Sequence, residues 1–78
     1  MERSTLERHL AMAETHISEG QRHVARQREL ISKLIREGHH DMIPEAKQFL
    51  ALLEEMQALH VADRDQVRSE LAKFEPNT

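Results

Sequence analysis

Residues 6–34 read LERHLAMAETHISEGQRHVARQRELISKL, and within them Leu6, Leu10, Ala13, Ile17, Gly20, Val24, Gln27, Ile31 and Leu34 recur at alternating steps of four and three. Such steps average 3.5 residues, the spacing of a helix laid along another in supercoiled packing. At 1.5 Å per residue the stretch makes a rod of roughly 50 Å, longer than an ordinary globular helix. Two members of this seam are not aliphatic. Gly20 would let a partner approach closely, at about 1 kcal/mol in helix propensity, and Gln27 can set register through a hydrogen bond. Both residues are equally compatible with the edge of the buried stripe.

Working outward, Ser4-Thr5-Leu6-Glu7 has the form of a capping box, with the Ser4 hydroxyl accepting from the Glu7 backbone N–H while the Glu7 carboxylate reaches back. Gly38 is the stop signal, so the first helix is expected over about 5–37. Gly38-His39-His40-Asp41 forms the turn, 38–41, with Asp41 as the cap and Ile43 as an alternative boundary residue. Pro44 suits the first turn of a second helix, where its missing N–H is no loss. That helix is expected over about 42–74, ended by Glu75-Pro76-Asn77-Thr78. A connection this short makes the helices antiparallel, so the expected fold is all-α: one coiled-coil-like two-helix hairpin over residues 1–78.

The apolar residues of the second helix are Ala46, Phe49, Leu50, Leu52, Leu53, Met56, Leu59, Val67, Leu71 and Phe74. Between Phe49 and Leu59 they cover more than one stripe, wider than a single partner helix can bury. This segment is therefore expected to contact something beyond helix 1. The simplest completion is a second copy, giving a homodimeric antiparallel four-helix bundle. The residues expected to carry assembly are Leu10, Ile17, Val24, Ile31, Phe49, Leu53 and Met56.

Charge supports the antiparallel arrangement. Residues 21–36 hold Arg22, Arg26, Arg28, Lys33 and Arg36 against Glu29, whereas residues 41–75 are predominantly acidic. A fold about the turn places positions whose numbers add to roughly 81 opposite each other, so the basic stretch faces Glu45, Glu54 and Glu55. Exposed pairs of this kind contribute ~0–1 kcal/mol each and specify orientation more than stability.

Composition sets the outer bounds. The chain has 78 residues, no Cys, Trp or Tyr and two Phe, with 38% hydrophobic and 32% charged residues. A chain this short needs a staple or a partner, and without cysteine it has neither a disulfide nor a thiolate metal site. No apolar run approaches a membrane span, no signal-peptide core follows Met1-Glu2-Arg3-Ser4, and a cytoplasmic location without membrane association is expected. A net charge of −3 argues against a dedicated nucleic-acid binder.

Six histidines are the most unusual count, three of them at heptad intervals: His9, His16 and His23. Their flanks repeat, Glu7-Arg8-His9-Leu10-Ala11 recurring as Gln21-Arg22-His23-Val24-Ala25, which marks a structural duplication on the coiled-coil frame. Residues seven apart lie about 10.5 Å apart along a helix, so no two of the three can share an ion within it. His16-Glu19, Glu19-His23, His60-Asp63 and the turn residues His39 and His40 are the remaining metal-ligand candidates, each grouping supplying too few ligands for a structural site. The favoured reading lays each ring beside the seam with its nitrogens toward solvent or an acidic neighbour. Met12, Met42 and Met56 are read as packing residues.

No cysteine nucleophile, Gly-rich phosphate loop or Gly-x-Ser-x-Gly is present, and serine occurs only at 4, 18, 32 and 69, with no triad in sight. The His-x-x-Lys-Gly pattern of histidine-phosphotransfer modules is absent, and His60 is followed by Val61 rather than an acid. The stretches Glu7-Arg8-His9-Leu10, Ala13-Glu14, Gly20-Gln21-Arg22-His23, Gln27-Arg28-Glu29, Gly38-His39 and His60 to Arg64 give the chain its likeness: it resembles a group of short bacterial proteins of proteobacterial type. That resemblance implies a small helical protein without an assigned activity and transfers no functional residue. The expected function is a non-enzymatic, cofactor-free interaction or regulatory module that self-associates and could engage another protein. A histidine-dependent metal-binding or pH-responsive protein is the alternative, and a nucleic-acid accessory protein a further one.

Overall fold

The computed structural model describes residues 2–74. Two helices, α1 (Arg3–Arg36) and α2 (Ile43–Ala72), are joined by Glu37, Gly38, His39 and one 3-10 turn, His40–Met42. They pack against each other as an antiparallel hairpin, 61 × 20 × 14 Å in extent. The described residues contain no strand.

The start of α1 departs from the capping box. The helix begins at Arg3, one residue before Ser4, with Glu2 in extended conformation as its N-cap and no side-chain cap. The Glu2 carbonyl accepts the Leu6 N–H at 3.1 Å. Glu7 lies 3.9 Å from the Arg3 guanidinium one turn back, an i,i+4 pair in place of a reach to the Ser4 backbone. At the other end Gly38 does terminate the helix. It adopts φ 74°, its N–H donates to the Ile35 carbonyl at 3.2 Å, and the His39 N–H donates to Leu34 at 2.9 Å. This paired closure satisfies two carbonyls that the helix itself leaves free.

Helix α2 is capped by Met42, with no side-chain cap bond from Asp41, because residues 40–42 are already wound into the 3-10 turn. Pro44 sits in the first turn, as expected. Helicity ends at Ala72, two residues before Phe74, with tightened bonds from Lys73 to Glu70 and from Phe74 to Leu71. The stop expected from Glu75-Pro76-Asn77-Thr78 lies outside the described residues.

All nine seam positions of α1 face α2: Leu6, Ala13, Ile17, Val24, Gln27, Ile31 and Leu34 are buried, and Leu10 and Gly20 half-buried. The facing row of α2 is Ile43, Ala46, Leu50, Leu53, Gln57, His60, Arg64, Val67 and Leu71, again at steps of three and four. Ile31, Leu34 and Ala46, flanked by Ile43 and Leu50, form the core near the turn. Leu6 and Val67 are the fully buried side chains near the open end, each contributing about 1.5–3 kcal/mol. Between these apolar ends the α2 row is polar at Gln57, His60 and Arg64.

Both soft seam positions acquire definite roles. Gln27 is buried and its Nε2 donates to the Ala46 carbonyl across the interface at 2.9 Å. Gly20 makes room for a side chain: Gln57 Nε2 donates to the Ile17 carbonyl at 2.8 Å, and a Cβ on Gly20 would overlap the Gln57 amide. Among the described residues Gln57 Oε1 is buried without a partner. Ile17 thus meets Gln57 and Gln27 meets Ala46, several residues earlier in α2 than the expected pairing, because the chain already reverses at Gly38.

Two substitutions test this packing. Gly38→Ala should lower stability by roughly 1–2 kcal/mol in thermal unfolding, because an alanine at positive φ is strained even in open space. In a double-mutant cycle, Gly20→Ala and Gln57→Ala should couple by about 1 kcal/mol, the added methyl displacing the same amide that the second change removes. Additive effects would refute the contact.

Candidate interaction face

Side chains one position before each seam residue lie on one open face of the hairpin, and those one position after it lie on the other. The second face carries charge. Arg28 donates to Glu54 at 2.8 Å and Arg68 to Glu14 at 3.2 Å, both exposed pairs that bridge the two helices. The acidic partner expected of the basic stretch is therefore Glu54, whereas Glu45 and Glu55 form no ion pair among the described residues.

The first face carries most of the exposed large apolar residues and the histidines, interspersed with Glu19, Arg26, Lys33, Glu45 and Glu70. From α2 it presents Phe49, Leu52, Met56 and Leu59, spaced 3-4-3 and 53%, 54%, 49% and 66% exposed. Leu30 and Met12 on α1 and Met42 beside the turn extend it, all exposed. Leu30, Leu34, Met42 and Phe49 line a groove floored by Gln27 and Ala46. The expectation that residues 49–59 exceed what helix 1 can cover matches this surface.

Histidines lie along the same face. His9 Nε2 is 3.1 Å from Asp63 Oδ2, the acidic neighbour foreseen for such a ring. The rings of His16 and His60 stand with centroids 5.1 Å apart, tilted by 42°. Glu19 and His23 are exposed on α1, His39 Nε2 lies 3.6 Å from Glu37 Oε1 at the turn, and His40 opens the 3-10 turn. The structure thus brings together His9 with Asp63 and His16 with His60 across the helices. Among the described residues no three His, Cys, Asp or Glu side chains converge as a metal site.

The residues expected to carry assembly divide into two groups. Ile17, Val24 and Ile31 are buried and Leu10 and Leu53 half-buried inside the hairpin itself, whereas Phe49 and Met56 point outward. Leu52, Leu59 and Leu30, absent from the expected set, belong with the outward pair. The 3-4-3 spacing of Phe49, Leu52, Met56 and Leu59 was visible in the chain, but which apolar row faces helix 1 is set by the register.

No protein-family model, curated protein or solved structure matches the chain. No helix among the described residues is long and apolar enough to cross a membrane.

The opposite, charged face should add little stability. Arg28→Glu and Glu54→Arg should each shift stability by no more than about 1 kcal/mol in low-salt thermal melts, with the double exchange restoring the original value and high salt erasing the difference.

Proposed function

We propose that the protein is a self-associating helical hairpin that acts by binding, without catalysis, and that the Phe49, Leu52, Met56 and Leu59 face packs against the same face of a second copy to complete a four-helix bundle. The observation that carries this reading is the second heptad row. Four large apolar side chains at 3-4-3 spacing stand about half exposed or more, while the row that faces α1 holds Gln57, His60 and Arg64. Apolar heptad rows of this kind are what helix–helix seams are made of.

The surface area supports a second copy as the occupant. A compact monomer of this mass exposes about 4,900 Å², whereas the hairpin exposes 6040 Å². The excess, roughly 1,100 Å², is comparable with one subunit's share of an obligate homodimer interface. The molecule is also only 14 Å through its thinnest direction, little more than one helix diameter, so a hairpin alone buries one side of each helix.

In sedimentation equilibrium the protein should run at twice its 9.1 kDa chain mass, and its melting temperature should rise with protein concentration. Leu52→Glu or Met56→Glu should abolish both behaviours, since each places a charge in the proposed seam. A single-chain mass at a protein concentration of about 100 μM, with a concentration-independent melting temperature, would overturn the proposal.

A further inference from the structure

The geometry points to a binding site for a divalent transition-metal ion, of the nickel, copper and zinc group, formed by His16 of α1 and His60 of α2. The two rings are 44 residues apart in the chain and are brought together by the hairpin, with centroids 5.1 Å apart and planes tilted by 42°. Two imidazoles bound at cis positions of one such ion, with nitrogens ~2.0–2.1 Å from it, place their ring centres roughly 5 Å apart. The 5.1 Å between the two centroids is close to that separation.

Their surroundings favour access by an ion. His16 is exposed and His60 half-buried, so in the single chain the pair sits at the surface and is reached from solvent, on the same open face as Met56 and Leu59. Neither ring is held by a hydrogen bond or ion pair among the described residues, in contrast to His9, which is engaged with Asp63. Imidazole is a good ligand for nickel, copper and zinc, and affinity within this series follows ligand type and geometry. No third His, Cys, Asp or Glu converges with them among the described residues. The protein therefore supplies two ligands, with solvent filling the other positions, a pattern suited to reversible capture of an ion.

Because the ligands meet only after folding, the ion binds the native hairpin in preference to the unfolded chain and pins α1 to α2 where the seam is polar. Both ligands come from one chain, so the site needs no second copy, and it lies on the face that the proposed dimer covers.

The test is titration of the intact protein with Ni²⁺, followed by calorimetry and thermal unfolding. One ion per chain is expected, with the melting temperature raised by roughly 10 °C at a hundredfold excess over the dissociation constant. His16→Ala and His60→Ala should each abolish both effects, whereas His23→Ala and the double change His39→Ala, His40→Ala should retain them. His16 is exposed, so its variant tests the site without disturbing the core; selective Ni²⁺ broadening of the His16 and His60 ring resonances in the unsubstituted protein provides a second readout. Binding that survives His16→Ala, or an unchanged melting temperature, would overturn the assignment and leave the rings as a packing pair. A single-chain mass alongside intact Ni²⁺ binding would overturn the dimer and leave this site standing.

Discussion

Two hydrogen bonds at the end of α1, from Gly38 to Ile35 and from His39 to Leu34, set which side chains of α2 meet α1. They close the helix around a glycine at positive φ, and the following 3-10 turn starts α2 at Ile43. With the chain reversed there, Ile43, Ala46 and Leu50 fall against Ile31 and Leu34. The heptad spacing then carries that register along the rest of the rod. Gln27 reinforces it by donating to the Ala46 carbonyl, a bond that a shifted partner would leave unmade inside the seam.

A consequence of this register is the apparent misuse of apolar material in α2. The row turned inward is interrupted between Leu53 and Val67 by Gln57, His60 and Arg64, while Phe49, Leu52, Met56 and Leu59 turn outward. A hairpin optimised as a monomer would place the better row inside. The polar stretch is accommodated locally: Gly20 clears space for the Gln57 amide, His60 lies beside His16, and Arg64 lies half-buried with its guanidinium paired to Asp65. Distributing apolar residues over two rows is consistent with a helix that has two partners.

Much of this was legible in the chain because α1 has one unambiguous apolar row. Its nine seam positions, its glycine stop and the antiparallel return follow from spacing and turn chemistry. The end of α1 near Ser4 was less legible, since a capping box describes local hydrogen-bonding capacity and Glu2 offered a backbone acceptor one turn before Leu6. The histidine pair was hidden for a different reason. Along a single helix His9, His16 and His23 stand too far apart to share an ion, whereas His16 and His60 meet only through the register between helices.

Periodicity and the glycine stop by themselves determined that this protein is two long helices folded back on one another, because steps of three and four on a 3.6-residue helix leave a single stripe to bury. Which of two apolar rows in α2 fills that stripe was decided only by tertiary structure. Both rows have the same spacing, so local propensity does not distinguish them; the geometry of the reversal at Gly38 does, by setting the axial offset and rotation of α2. That choice turns Phe49 and Met56 outward and brings His60 to His16 on the same open face.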